Sequence, residues 1–404
     1  MRPVAVLAVC LAVLGSGASA PATDAPGTEP VRPSVAYFPL GVFEDANRLM
    51  GDAARFRTLV DDLKSHSLDS VLLMHGLARR DAALLEIAEQ AGVSVFMQPT
   101  DDLKRAMQTA SAGGDLADVK RDLGPLVEAL DKYRALKGWI VADEPGLDRR
   151  EPVKRVTRAL QELDALRAVM PILIGTDRVG PIFTAALPDV MLIDVYPCGH
   201  DNAVGDFTLT GFGYTDLDFV KYVRVVTRTL RHGRPLWLIL QTHRFGAGTP
   251  FALREPTPAE VRCQNWLAVG EGGKGIFWFI YGSQQGWLGL ADNARLFSEV
   301  GAQAKRTRAL APTLLGLTRI DTEIATSDEK DLYLSTLSGI DQARFYVVAV
   351  NRDCRRQRVF AIKPKRLSAR LKDAETGTVY TPDLGIEFAP GDGKVLELVD
   401  APAK

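Results

Sequence analysis

The segment Gly138-Trp139-Ile140-Val141-Ala142-Asp143-Glu144-Pro145 is an apolar run that ends abruptly in two adjacent carboxylic acids and a proline. Neighbouring carboxyls repel, so partial burial of the pair raises at least one pKa and favours a protonated acid. Such an acid can protonate a departing oxygen, the step that glycoside hydrolysis requires. If the run is a strand, alternation turns one acid into the site and the other sideways. The competing reading is a pair that caps the next helix, where the dipole favours negative charge. Asp194-Val195-Tyr196-Pro197 ends a second apolar run. Asp194 is there either a base acting on water or an acid that caps a turn or pairs with an arginine.

Gln98 and Gln241 close two further runs. Their amides both donate and accept, as a polyhydroxylated ligand demands. His75 and His243 suit the same ligand, or are buried and satisfied in place. Trp278, Tyr281 and Trp287 cluster late in the same region. Trp278 is expected in the pocket and Trp287 on its rim, while Phe277 and Phe279 are expected in the core. Neither histidine falls in a zinc-binding spacing, so no metal and no other cofactor is expected. Gly270, Gly272, Gly273 and Gly275 precede an apolar run instead of following it, which argues against a phosphate cradle. Ser283 lies in no nucleophile elbow.

These residues need a frame that brings run ends together. Between 34 and 316, short runs rich in Val, Ile, Leu, Phe and Trp occupy 35–42, 70–74, 93–98, 138–142, 172–175, 190–195, 236–241 and 275–280. Little polar interruption marks them as parallel strands buried on both faces. Amphipathic stretches alternate with them. Phe56, Leu59, Val60 and Leu63 share one helical face, and Phe219, Tyr222, Val223, Val226 and Leu230 share another. Residues 101–136 hold two helices broken at 110–114. Eight βα repeats predict an α/β fold, a (β/α)₈ TIM barrel, whose functional groups stand at the C-terminal strand ends. Past Pro312 the pattern changes to short runs at 332–337, 344–351, 357–362 and 394–399 with turn residues between, read as a small C-terminal antiparallel β-sandwich over 317–404. Its simplest task is to close one side of the barrel, with sugar binding as the alternative.

With the runs assigned, the chain resembles the clan A glycoside hydrolases, loosely the family 42 β-galactosidase barrel. The resemblance rests on residues 139–145, on Asp194 through Pro197, on Leu240-Gln241-Thr242 and on residues 272–282. It implies that Glu144 is the general acid, with Asp143 where the clan carries Asn. The clan also places a nucleophilic Glu at the end of the seventh strand, where this chain has Gln241. An amide cannot form a glycosyl ester. Three routes stay open. Asp194 can act as base, since strand ends two apart lie about 10 Å from each other, near the roughly 6.5–9.5 Å of an inverting carboxyl pair. Alternatively the adjacent Asp143-Glu144 pair resembles substrate-assisted N-acetylhexosaminidases, with Asp143 orienting an acetamido group and Tyr196 bonding its oxygen. Or the barrel binds carbohydrate without cleaving it.

The remaining features bound the setting. Arg2, the apolar stretch 4–14 and the small residues 15–22 read as a signal peptide over 1–22, cleaved after Ala22, followed by a flexible leader over 23–33. A secreted or periplasmic protein is expected, without a membrane span after cleavage; a lipoprotein is disfavoured because Val9 precedes Cys10. Formal net charge is −1, which gives no electrostatic reason for nucleic acid as a partner. A carbohydrate substrate is the expected partner, and oligomeric state is left open. Cys198, Cys263 and Cys354 are read as buried thiols, with a Cys198–Cys263 disulfide as the alternative.

Overall fold

The computed structural model describes residues 36–400, apart from 50, 77, 212–213, 231–232, 247, 250–251, 285, 340–342 and 382–384. The expected signal peptide and the whole of the expected leader lie outside the described residues.

Eight parallel strands close into a barrel: β1 (Leu40–Asp45), β2 (Ser70–Gly76), β3 (Ser94–Pro99), β4 (Leu136–Asp143), β5 (Ala168–Leu173), β6 (Met191–Val195), β7 (Leu236–Gln241) and β8 (Gly275–Phe279). Each pairs with its sequence neighbours, and β1 closes on β8. The surrounding helices include α1 (Ala53–Ser65), α2 (Ala78–Ala91), α3 (Thr100–Ser111), α4 (Leu116–Leu130), α5 (Arg150–Leu163), α6 (Val179–Ala186), α7 (Phe219–Val226), α8 (Pro258–Gly270) and α9 (Ala294–Leu315). The fold class expected from the sequence is the fold observed.

Two strand placements differ from expectation. The first strand starts at Leu40, after Pro39, which has no N–H to give a ladder. The fifth covers Ala168–Leu173, earlier than 172–175, because Pro171 is accommodated within it.

Strand alternation separates two apolar layers. Phe43, Leu72, Phe96, Ile140, Ile172, Leu192, Trp237, Ile239 and Phe277 fill the barrel interior. Their chain neighbours, such as Val42, Val71, Val95, Trp139, Ile193, Leu238 and Trp278, face the helices. Two irregularities interrupt the alternation near strand ends. Between Leu73 and Gly76, β2 spends three steps against two on β3, and between Ile140 and Asp143, β4 does the same against β5. An extra residue of this kind bends a strand and re-aims its side chains. Each irregularity lies at a candidate residue. His75 has φ 53° and Glu144 φ 42°, both in the left-handed region that non-glycine residues rarely occupy.

Beyond α9 an antiparallel sheet begins: β9 (Leu317–Ile320), β10 (Leu332–Gly339), β11 (Phe345–Asn351), β12 (Ala369–Asp373), β13 (Val379–Tyr380) and β14 (Gly393–Asp400), in the order β9-β10-β11-β14-β12-β13. Short ribbons, 325–326 with 363–364 and 358–360 with 386–388, cover one face around Val347, Phe360, Leu371, Phe388 and Leu396. The other face packs on α8. There Gly393 lies against the Trp266 ring, where any Cβ would collide with it.

Candidate active site

The carboxyl cluster is assembled by β4 and β6. On β6, Leu192 points into the barrel and Ile193 toward the helices, so Asp194 and Tyr196 both point inward. Asp194 is 3% exposed. Its Oδ1 accepts the Tyr196 hydroxyl at 2.9 Å, and the Tyr214 hydroxyl donates to its backbone carbonyl at 3.3 Å. The Glu144 carboxyl lies within hydrogen-bonding reach of Asp194. Two carboxyls at that separation cannot both be ionised, so the pair holds a proton. Burial, then the charges of Glu144 and Asp143, push Asp194 well above the usual carboxylate range. Burial also raises Glu144, while the hydrogen bond with Asp194 and the Arg178 guanidinium pull it back.

Asp143 closes β4 with its side chain open to water, although protein surrounds it. Burial and the Glu144 charge push its pKa up to about 6, against a lowering by His75. His75 Nδ1 lies 3.3 Å from Asp45 Oδ1, and this contact raises the imidazole pKa. The mouth therefore carries four acids, Asp45, Asp143, Glu144 and Asp194, one histidine held toward its cationic form, and Arg178 in the loop after β5.

His243 stands on the opposite side of Tyr196. Its ring meets Tyr196 edge-on at 5.1 Å and Phe279 at 4.7 Å, and lies 5.0 Å from Trp287. Nδ1 is 2.9 Å from the Phe279 carbonyl, so Nδ1 carries the hydrogen and Nε2 is a bare acceptor. Burial lowers its pKa to about 3, which keeps the ring neutral. Trp287 also stacks on Phe245 at 4.0 Å. Gln98, two residues after the inward Phe96, is half-buried on the inner face of β3.

The remaining candidates have structural employment. Gln241 is fully buried, and its Oε1 accepts from the Cys198 amide at 2.7 Å. Its Nε2 donates to the carbonyls of His243 at 3.1 Å and Arg254 at 2.9 Å. The amide thus ties the loop after β6 to the loop after β7, and both of its hydrogens are used in doing so. Trp278 faces the helix layer and is fully buried, so its expected pocket role is corrected: Phe279, expected in the core, is the β8 aromatic at the mouth. Tyr281 likewise points outward, its hydroxyl donating to Asp62 of α1 at 2.6 Å. The Tyr196 hydroxyl is committed to Asp194. Asp194 is not set apart from Glu144 as an inverting pair requires, since the two carboxyls meet directly. The three described cysteines are free and buried, so the alternative disulfide does not form; Cys263 lies beside Cys354 instead. Arg178, Tyr214 and Phe245 join the site without having been singled out in the sequence. Among the described residues, no group of His, Cys, Asp and Glu is arranged to hold a metal ion, and no helix is long and apolar enough to cross a membrane.

No family model matches the chain, and no curated protein matches it in sequence. Solved structures do. A glycoside hydrolase family 5 protein from Bacteroides vulgatus superposes with TM-score 0.60 at 14% identity, over 90% of each chain. An Anoxybacillus α-amylase matches with TM-score 0.57 at 8% identity, over 92% of this chain and all (100%) of that one. A further glycoside hydrolase gives 0.56 at 12%, over 90% of this chain and 93% of that one. At such identities the likeness is one of fold.

Proposed function

We propose that this protein hydrolyses O-glycosidic bonds and that Glu144 delivers the proton to the leaving oxygen. The observation that carries the reading is the placement of Glu144 beside buried Asp194 at the C-terminal mouth of a barrel, where burial pushes both carboxyls upward. Asp194 is sealed beneath Tyr196 and Tyr214, so Glu144 is the member of the pair that a ligand can reach. Once Glu144 gives up the proton, the Arg178 charge stabilises the carboxylate left behind. Asp194 acts through Glu144, as a positioning residue. A retaining pair stands roughly 5–5.5 Å apart and an inverting pair roughly 6.5–9.5 Å, and a pair in direct contact leaves no space for a sugar carbon or water. The second acidic function therefore falls to Asp143, which is water-accessible and ionised above about pH 6. It either activates water or orients an acetamido group of the substrate, as in the substrate-assisted N-acetylhexosaminidases.

The test is hydrolysis of a glycan panel, including β-galactosides, N-acetylated and acidic sugars, by the mature protein and by Glu144→Gln. Release of sugar by the wild type and its loss in the variant is the expected result; full activity in Glu144→Gln removes Glu144 from the role. Dependence on an N-acetyl group separates the substrate-assisted route from the water route. A second reading, a barrel that binds carbohydrate without cleaving it, is favoured by Gln241, whose position in the clan belongs to the nucleophile. It predicts binding that survives Glu144→Gln and no turnover by either protein. Export completes the proposal, and N-terminal sequencing of the mature protein should start at Thr23.

A further inference from the structure

A buried polar atom normally has a partner, and an acceptor left without one costs about 1–3 kcal/mol. His243 Nε2 is such an atom, sealed in the mouth with no hydrogen-bond partner among the described residues. It is not a titrating group waiting for a proton, because burial holds the ring neutral. Nor is it a structural acceptor, since the ring's one structural bond is made through Nδ1. Around it stand Tyr196, Phe279 and Trp287, with Phe245 stacked behind the indole. The side chain that forms this cover, Trp287, is only half-buried, whereas Trp139, Trp237, Trp266 and Trp278 are completely enclosed.

We propose that His243 Nε2 is the acceptor of a saccharide subsite beside the Glu144–Asp194 pair. Trp287 occupies the subsite in this structure, and a bound sugar ring displaces the indole. The chemistry selects the ligand. A bare acceptor asks for an O–H donor, and the two aromatic walls that remain, Tyr196 and Phe279, ask for C–H surface at the same place. A pyranose ring offers both, with axial and equatorial hydroxyls around an apolar face. A neutral imidazole supplies no counter-charge, so the ring held here is uncharged rather than a uronic acid. The inference rests on the carbohydrate part of the proposed function but not on catalysis.

Two measurements test it. Diethyl pyrocarbonate acylates unprotonated imidazole nitrogens that solvent can reach. With modification mapped by peptide mass spectrometry, His243 should stay unlabelled in the wild type and become labelled in Trp287→Ala. Exposed His200 serves as the reactive reference within the same molecule. Equal labelling of His243 in the two proteins overturns the cover. The second measurement is acrylamide quenching of tryptophan fluorescence in Glu144→Gln, which consumes no sugar, with maltose, cellobiose, mannobiose, lactose and N,N′-diacetylchitobiose as probes. At least one should change the quenching, the change should be absent in Trp287→Phe, and the affinity should fall roughly five- to tenfold in His243→Asn, the loss of one hydrogen bond. Asn retains an N–H for the Phe279 carbonyl, and its melting temperature checks the fold. If no probe moves the signal, or if His243→Asn binds as tightly as its parent, the subsite falls. Hydrolysis by the wild type with a silent Trp287 would remove the subsite and spare the glycosidase. Sugar-dependent quenching without hydrolysis would do the reverse.

Discussion

Two regions of this molecule treat buried acids in opposite ways. At the seam between barrel and sandwich, Glu271 and Glu260 are each met by a guanidinium. Glu271, with a side chain 1% exposed, is reached by Arg224 at 2.9 Å and Arg319 at 3.1 Å and accepts the Tyr333 hydroxyl at 2.6 Å. Glu260 is gripped by Arg254 at 2.6 Å, and although burial pushes its pKa up, Arg254 and the Thr257 and Gly205 amides hold it below the ordinary value. Arg306 spans Glu375 and Asp392 across the same seam. At the mouth, Asp143, Glu144 and Asp194 are left in one another's company, and each is pushed upward. Paired acids hold parts together; crowded acids keep a proton ready at a cost to stability.

That contrast is broken most sharply at Glu144. Glu144→Gln should lower turnover by roughly 10²–10⁴-fold, the usual worth of a positioned general acid, while the melting temperature holds or rises because a repulsive neighbour of Asp194 and Asp143 has gone. A large fall in melting temperature would mean that Glu144 is structural, like its counterparts at the seam.

Glu271→Ala is the converse experiment. It strands two guanidiniums and the Tyr333 hydroxyl, and should cost about 3 kcal/mol, the low end for a broken buried pair because both arginines reach water. Denaturant titration reads the loss. Turnover per folded molecule should be unchanged, since the seam lies outside the mouth.

Asp194→Asn comes next. Asn can still accept the Tyr196 hydroxyl and can donate to Glu144, so folding should be unaffected. An amide N–H is a weaker donor than the Asp194 carboxyl, however, so the hydrogen bond that holds Glu144 down weakens and Glu144 titrates higher. The alkaline limb of the pH–rate profile should move toward alkali, and turnover at neutral pH should fall by less than the roughly 10²-fold floor expected for the acid itself. An unmoved pH profile would show that the two carboxyls do not act as a unit.

Much of this contrast was written in the sequence, and the rest was lost for identifiable reasons. Asp194 and Tyr196 are two apart on an otherwise apolar run, so their shared inward face was readable. Run ends at 98, 142 and 241 lie within a residue of the observed strand ends. The run Ile276-Phe277-Trp278-Phe279 is apolar on both faces, so polarity could not say which aromatic looks into the barrel, and parity assigned Phe279 in place of Trp278. The extra residues in β2 and β4 carry no sequence mark, yet they set the backbone at His75 and Glu144. Gln241 was legible as an amide at a strand end, but the carbonyls that consume it come from loops whose course depends on the whole fold. The seam was the least legible region, because its ion pairs join helix ends to a sheet many residues away.

The smallest expected effect isolates the cost of crowding at Asp143. Its folded pKa of about 6 exceeds the ordinary 3.8, so between those values the folded protein binds more protons than the unfolded chain. Stability attributable to this group is therefore full below about pH 3.8 and declines as pH rises to about 6, beyond which the penalty is constant. Asp143→Asn removes the titration. The difference in stability between variant and wild type should shift in the variant's favour from pH 4 to pH 7 and then stay level. Because the side chain is open to water, solvent screens the effect and the shift should be small. The same measurement on Glu260→Gln must run the other way, since Arg254 holds that acid low and its contribution grows with pH. Opposite slopes from two acids in one molecule are what separates a site that stores a proton from a seam that binds charge.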